Sequence, residues 1–214
     1  SWEVTEGCYH DIYLNFTNIE AITLNKNGWL IKESYPIGSL NASRVFSSLN
    51  SRNVKRDLLI ISSWRGNIEM DTDYFNQFYA MKEMHFYLNN LIKKENYKAG
   101  LILRSQKNDK DWYIKKFATN EEDFYKKIYG DNCEIIQNNQ LGYDIYREIN
   151  NSHLSVAFLT SAILEGYIYG HKCFYLNFYK DNYYHDNFPQ ETVISKVNLD
   201  VMGLKIKNKI KESK

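Results

Sequence analysis

Residues 154–176 read Leu154-Ser-Val-Ala-Phe158-Leu-Thr-Ser-Ala-Ile-Leu-Glu165-Gly-Tyr-Ile-Tyr-Gly170-His-Lys-Cys-Phe-Tyr-Leu176. An apolar run, a polar turn, a short helical pattern, a glycine stop and a second apolar run follow one another, which predicts a strand, a helix and a second strand. Such units build parallel sheets that are covered by helices. The start of the helix would lie at the end of a strand, where free backbone N–H groups suit a phosphate.

Three polar side chains give this unit its candidate chemistry. Thr160 or Ser161 is a good N-cap, and the positive end of the helix dipole favours an anion. Glu165 lies one turn further on the same face, where a carboxylate would accept hydrogen bonds from a ribose diol. Together the three residues favour a nucleotide. The alternative is purely structural, with a hydroxyl that caps the helix and a Glu165 that favours its positive end.

The amino-acid composition limits the classes of protein to which this chain can belong. The 214 residues are 43% hydrophobic, which suits one sizeable globular domain with an extension, and a net charge of +1 gives no general attraction to nucleic acid. The three cysteines (Cys8, Cys133 and Cys173) lack paired spacing, so we expect a reducing, cytoplasmic location. The histidines show no ligand spacing, and Asp71-Thr-Asp73 lies where acids cap a helix. We therefore predict no metal and no cofactor.

From Asp57 onward, short apolar runs alternate with longer amphipathic segments. This alternation predicts an α/β fold with a Rossmann-like parallel sheet and helices on both faces. Buried strands are predicted at 58–62, 100–104, 133–136, 154–158 and 172–176. Helices are predicted at 73–95, 112–117, 121–129 and 143–149, and after the turn at Thr160.

Right-handed crossovers bring the loops that follow such strands to one edge of the sheet, where ligands of these folds bind. The converging loops are 63–66, 104–106, 137–139 and 159–161. We predict that Ser63, Arg65 and Gly66 bind the phosphates with a hydroxyl, a guanidinium and bare backbone. An ordinary turn with an exposed arginine is the alternative for Arg65. Gln137 and Asn138 are predicted to contact the nucleobase.

The two ends of the chain depart from this rhythm. Residues 1–34 carry short β-like pieces at 11–14, 21–24 and 29–31, and are interpreted as the remnant of a preceding domain or a linker. The Rossmann-like domain is assigned to 35–200 and begins with an extended piece, a turn and a helix-like segment at 42–49. Residues 201–214 form a basic helical tail, which either is a solvated helix or contacts an anionic membrane surface.

Four segments form a familiar arrangement. They are Tyr35-Pro-Ile-Gly-Ser39, Ile60-Ile-Ser-Ser-Trp-Arg-Gly66, Leu101-Ile-Leu-Arg-Ser105 and Leu159-Thr-Ser-Ala-Ile-Leu-Glu165, with Gly170-His-Lys172 after them. Their order and placement over residues 35–180 resemble the carboxy-terminal half of GT-B glycosyltransferases, and most of all the bacterial surface-polysaccharide enzymes of the capsule and lipopolysaccharide type. The chain departs from that family at Ser105-Gln106, where many relatives carry His-Pro, and at His153, where an acidic residue is usual.

The resemblance implies a donor site for a nucleotide sugar. It assigns Thr160 and Ser161 to the donor phosphates, Glu165 to the ribose, and Arg104 to the phosphate or leaving group. An arginine and helix-end N–H groups would stabilise the departing nucleotide without a metal. The resemblance further implies a glycan or lipid-linked acceptor, a location at the inner face of the membrane, and a missing amino-terminal domain that supplies the catalytic base.

Two other functions stay open at this point. A nucleotide-sugar epimerase of the same architecture would convert its donor without an acceptor, and a non-catalytic module would bind a nucleotide or glycan without turnover. A serine hydrolase and a P-loop NTPase are excluded, because the chain has neither a Gly-x-Ser-x-Gly elbow nor a Gly-Lys-Ser/Thr motif.

Overall fold

Among the residues that the computed structural model describes, eight strands form two parallel sheets. The structure describes residues 9–15, 18–26, 28–49, 51–64, 72–105, 112–139, 142–158, 160–179, 189–195 and 199–212. A two-stranded sheet contains β1 (Tyr9–Asn15) and β2 (Leu30–Pro36). The central sheet contains β3 (Arg56–Ile61), β4 (Ala99–Ile102), β5 (Cys133–Ile136), β6 (Ser152–Ala157), β7 (Cys173–Asn177) and β8 (Val193–Ser195).

The central sheet has the strand order β5-β4-β3-β6-β7-β8, and all of its neighbouring strands are parallel. The chain starts at β3, builds outward to β5, then returns to the other side of β3 and builds outward to β8. This is the strand order of the doubly wound Rossmann fold. The predicted α/β, Rossmann-like fold is therefore confirmed.

Helices cover the central sheet on both faces. They are α2 (Leu40–Ser48), α3 (Thr72–Glu95), α4 (Trp112–Tyr129), α5 (Asp144–Asn150), α6 (Ala162–Ile168) and α7 (Leu199–Lys211), while α1 (Asn18–Lys26) joins β1 to β2. Right-handed crossovers place α3 and α4 on one face and α5 and α6 on the other, because the two pairs progress across the sheet in opposite directions. α2 packs against α5. α7 joins the α3 side, where Lys207 pairs with Glu95 at 2.6 Å.

The core lies where the central strands are covered on both sides. Leu58, Leu59 and Ile60 of β3 have no exposed surface, and Ile61 is 2% exposed. A strand of a parallel sheet is buried on both faces, so it shows a continuous apolar run rather than an alternating pattern. The uninterrupted apolar run of β3 is thus explained by the central position of this strand in the sheet.

Most elements agree with the sequence predictions, and the exceptions have physical causes. The five predicted strands lie within two residues of β3 to β7, but β8 was not predicted. The two helices predicted at 112–117 and 121–129 are one helix, α4. The basic tail is part of α7, whose Met202, Ile206 and Ile210 are buried in the core while Leu204 is 57% exposed. The interpretation of a fully solvated helix is wrong for that face.

The amino-terminal region is a β–α–β unit. The prediction of a β-like piece at 21–24 is wrong, because these residues lie inside α1. The pieces at 11–14 and 29–31 correspond to β1 and to the start of β2. β2 continues to Pro36, through the predicted boundary between residues 34 and 35. The helix predicted at 42–49 is α2, which Ser39 caps by accepting a hydrogen bond from the Ala42 amide at 3.2 Å.

A buried arginine fixes the amino-terminal edge of the central sheet. Arg56 is the first residue of β3 and is 6% exposed. Its guanidinium donates to Glu134 at 2.7 Å and to Glu148 in a close ion pair. Glu148 is as buried as the arginine, whereas Glu134 is 59% exposed. Gly100 leaves room for this group, because a Cβ atom there would lie 2.5 Å from the Arg56 Nε atom.

We expect Arg56→Ala to lower the free energy of unfolding by about 3 kcal/mol or more, because it removes the buried cation of the Glu148 carboxylate and leaves only the long 3.4 Å contact with Arg147. The matched variant Glu134→Ala removes the exposed partner and should cost less than about 1 kcal/mol. Urea denaturation of both variants measures the difference. Equal losses in the two variants would contradict the assignment of the buried pair as the stabilising one.

Candidate functional site

The strand order reverses between β3 and β6, and this reversal marks the candidate site. In open α/β sheets, ligands bind beyond the carboxyl ends of the strands at such a switch point. Residues 62–64 follow β3, and Thr160 and Ser161 follow β6. β3 and β6 are direct neighbours, with Ile61 beside Ala157. The structure therefore brings the predicted Ser63 loop and the predicted Thr160 turn to the same edge.

A buried carboxylate on α4 organises this edge. Glu121 has no exposed surface. Its carboxylate accepts hydrogen bonds from the backbone N–H groups of Arg104 at 2.8 Å and Ser105 at 2.9 Å, and a close one from the Ser62 hydroxyl. These bonds hold the ends of β3 and β4 against α4. Glu121 was missed by the sequence predictions, although its position on the apolar face of α4, one turn before Tyr125, was a signal.

Two adjacent serines after β3 have different roles. The Ser62 oxygen lies 3.0 Å from the Tyr125 hydroxyl and accepts from the Trp64 amide at 3.1 Å, so Ser62 is part of the structural network. Burial of the Tyr125 hydroxyl is the main cause that raises its pKa, and the negative charge of Glu121 raises the pKa further. Tyr125 therefore stays protonated. The Ser63 side chain is 5% exposed, and its oxygen is buried without a hydrogen-bond partner. Ser63 is therefore the serine that a ligand could satisfy.

Arg104 brings a positive charge to the switch point. Its side chain is exposed, and one guanidinium nitrogen donates to the Trp64 carbonyl at 3.3 Å. This bond holds the guanidinium over the end of β3. A guanidinium has five N–H donors, so capacity for an anionic ligand remains. Arg104 and Ser63 thus lie at one place, as the sequence predicts.

Two amide side chains lie at the end of β5. The Asn138 nitrogen donates to the Arg104 carbonyl at 3.2 Å, and the Gln137 nitrogen donates to the Glu122 carboxylate at 3.0 Å. The amide oxygen of each side chain is buried without a hydrogen-bond partner. Asn138 is 1% exposed and Gln137 is half-buried. Both residues are joined to the site through Arg104 and α4.

The turn after β6 differs in detail from the predicted cap. Ser161 occupies the N-cap position of α6, but its backbone is helical and its side chain caps nothing. The Thr160 oxygen instead accepts from the Ala162 amide at a long 3.4 Å. Of the two candidates, Thr160 is the one that contacts the helix start, and Ser161 is exposed.

Glu165 lies on α6, on the β6 side of the switch point. It is 6% exposed, and its carboxylate accepts a close hydrogen bond from the Tyr146 hydroxyl of α5. Burial is the main cause that raises the pKa of Tyr146, and the hydrogen bond to Glu165 and its charge raise the pKa further. A hydrogen bond with Ser39 lowers it. The starts of α2, α5 and α6 therefore meet around these three side chains. No pattern along the chain indicates this role of Tyr146.

Several predicted residues lie outside the described residues. They are Arg65 and Gly66 of the phosphate set, Asp71, and part of the loops at 104–106 and 159–161, namely Gln106 and Leu159. Their predicted roles stay predictions.

The described residues give no sign of a metal centre or of a membrane span. No group of three or more His, Cys, Asp or Glu side chains in these parts of the chain could hold a metal ion. No helix among them combines the length and apolar character needed to cross a membrane. Comparison of the chain with protein-family models, curated proteins and solved structures finds no match.

We expect Glu121→Ala to lower the free energy of unfolding by about 3 kcal/mol or more, since three donors at the ends of β3 and β4, two of them in buried hydrogen bonds, lose their acceptor. Asp123→Ala, an exposed acid two residues further along α4, is the matched control and should change it by less than about 0.5 kcal/mol. Urea denaturation measures both. A small effect of Glu121→Ala would show that the ends of β3 and β4 do not depend on this carboxylate.

A histidine beneath the site makes stability depend on pH. His85 of α3 is fully buried, with its Nδ1 atom 2.7 Å from the Tyr129 hydroxyl, and burial lowers the pKa of His85 to about 3. Between about pH 6.5 and pH 3 the unfolded chain binds a proton at this residue that the folded chain does not. The free energy of unfolding should therefore fall as the pH is lowered through this range, by up to about 1.4 kcal/mol per pH unit.

His85→Gln should flatten this pH dependence, because glutamine can still bond to Tyr129 but binds no proton. Denaturation of both proteins between pH 7 and pH 4 measures the two slopes. His171, whose pKa burial lowers to about 4, titrates in both proteins and cancels in the comparison. Identical slopes would contradict a neutral His85 in the folded protein.

Proposed function

We propose that the switch-point edge binds the nucleoside diphosphate part of a nucleotide sugar, and that the chain is the donor-binding part of a GT-B glycosyltransferase. The reaction would transfer a sugar or polyol phosphate to a bacterial surface glycan or a lipid-linked acceptor. One observation carries the proposal: the Ser63 hydroxyl is buried without a partner next to Trp64, whose carbonyl accepts from the Arg104 guanidinium, where the strand order reverses.

The polar groups at the switch point suit a phosphate. Ser63 offers a hydroxyl donor and Arg104 offers charge-assisted donors, which are about twice as strong as neutral ones. When the sugar leaves, the departing nucleotide gains negative charge, and a guanidinium fixed in place stabilises that charge. Glu121 supports this role indirectly, because it fixes the backbone on which Arg104 is carried.

The order of the strands gives the proposed donor a direction. Strands in a sheet are about 4.8 Å apart, so β5 lies about 10 Å from β3 on one side of the phosphate position. Gln137 and Asn138 are at that end and would meet the nucleobase. Glu165 lies on the opposite, β6 side. Because the ribose joins the base to the phosphates, this direction gives the Glu165 carboxylate the hydroxyl groups of the transferred sugar rather than those of the ribose predicted from the sequence.

The amino-terminal unit supports the proposal of a second domain. Tyr9, Ile12 and Leu14 of β1 and Leu30 of β2 are each more than half exposed. Parallel strands are normally covered on both faces, so these side chains suit a packing partner. We propose that a further domain covers them and carries the acceptor site and catalytic base. The exposed lysines of α7 would favour the inner face of an anionic membrane.

Titration calorimetry with UDP, GDP, CDP and CMP tests the nucleotide site. We expect Arg104→Gln to weaken binding by about ten- to a hundredfold through the loss of a charged hydrogen bond. Arg44→Gln, at an exposed arginine of α2, is the matched control and should bind like the unmodified protein. Ser63→Ala should weaken binding without lowering stability, because its oxygen has no partner in the free protein.

Failure of all four nucleotides to bind at millimolar concentration would contradict the proposal. A stability loss in Ser63→Ala would show instead that this hydroxyl serves the fold.

A further inference from the structure

The two amide side chains at the end of β5 offer acceptors rather than donors. The Asn138 nitrogen faces the Arg104 carbonyl and the Gln137 nitrogen faces the Glu122 carboxylate. Carbonyl and carboxylate oxygens accept but never donate, so turning either amide around would oppose two acceptors. The partners thus fix both orientations, and the two amide oxygens are left buried without a donor.

We infer that this end of the crevice selects a nucleobase that carries an exocyclic amino group, so the donor is a guanine, cytosine or adenine nucleotide rather than a uracil one. The inference rests on the proposed function and adds the class of base to it. An amino group supplies the N–H donors that the two oxygens lack. Uracil presents a single N–H between two carbonyl oxygens, and those oxygens would face acceptors of the protein.

The preference for an amino group has an energetic reason, because the two amide oxygens are buried without hydrogen-bond donors. A buried acceptor without a donor is unfavourable in the free protein, and a ligand that supplies the donor removes that penalty. Gln137 is half-buried, so part of its side chain is accessible although its amide oxygen is covered. Asn138 is tied to the Arg104 backbone, so the base and phosphate positions are held in a fixed relation.

CDP and UDP form the decisive pair for calorimetry, because their bases differ in the amino group and the protonation of the adjoining ring nitrogen. We expect CDP and GDP to bind about ten- to a hundredfold more tightly than UDP, as for a correct against an incorrect base edge. Inorganic pyrophosphate is the probe for the phosphate position alone. Its affinity should be the same for the unmodified protein and for the variants Glu122→Gln and Gln137→Met.

Glu122→Gln provides the sharper test, because it replaces a carboxylate that only accepts with an amide that can also donate, so the orientation of the Gln137 amide is no longer fixed. Gln137 can then turn and donate to uracil, so the preference for CDP over UDP should fall by about tenfold or more. Asp123→Asn changes the same charge on the next residue of α4 and should leave the preference unchanged. Gln137→Met is a second variant with the same expected loss of preference, and thermal unfolding verifies that each variant is folded.

UDP binding as tightly as CDP would overturn the inference and leave the nucleotide site standing, with the two oxygens then serving ordered water. An unchanged preference in folded Glu122→Gln and Gln137→Met would overturn it as well. Binding by none of the nucleotides would instead be the failure of the proposed function itself.

Discussion

The carboxylate of Glu121 is the constraint on which the candidate site depends. A parallel sheet leaves the backbone N–H groups beyond its strand ends without partners, and each site at that edge must be built from whatever satisfies them. Here one side chain from α4 accepts from Arg104, Ser105 and Ser62 at once. The loops after β3 and β4 are consequently held by a helix as well as by each other. The positions of the Arg104 and Ser105 backbone relative to Ser63 and Asn138 therefore depend on the Glu121 carboxylate.

The two edges of the central sheet are built on opposite principles. At the amino-terminal edge, Arg56 is buried with its charge neutralised by Glu148. At the carboxyl edge, Ser63 and Asn138 keep buried oxygens without partners, each costing about 1–3 kcal/mol if nothing satisfies it. These two oxygens give the carboxyl edge capacity for a ligand near the point where the strand order reverses, while Glu121 satisfies the neighbouring donors.

Sequence patterns predicted the elements with strong periodicity and missed those decided by tertiary contacts. β3 to β7 were recognisable because long apolar runs belong to fully buried strands, whereas β8 has three residues and no such run. Residues 21–24 are rich in β-branched side chains but lie in α1, where the crossover between β1 and β2 overrides propensity. Glu121 lies in an acidic run that resembles a solvated helix surface, and the partner of Glu165, Tyr146, is on another helix. The place of Glu121 one turn before Tyr125 marks the apolar face of α4, but spacing along the chain does not encode the partners of Glu121 or Glu165.

The pairing of β3 with β6 also governs how the chain reaches its fold. Leu58 pairs with Ala99 on one side and with Leu154 on the other, so the central strand obtains its second neighbour only after most of the chain exists. Closing so long a loop costs entropy before the contact rewards it, which slows folding. During synthesis on the ribosome, the β3–β4 half can assemble first, with the β6 side of β3 exposed as an open edge. Formation of the candidate site is thus coupled to the pairing that joins the two neighbouring strands of the central sheet that are farthest apart along the chain.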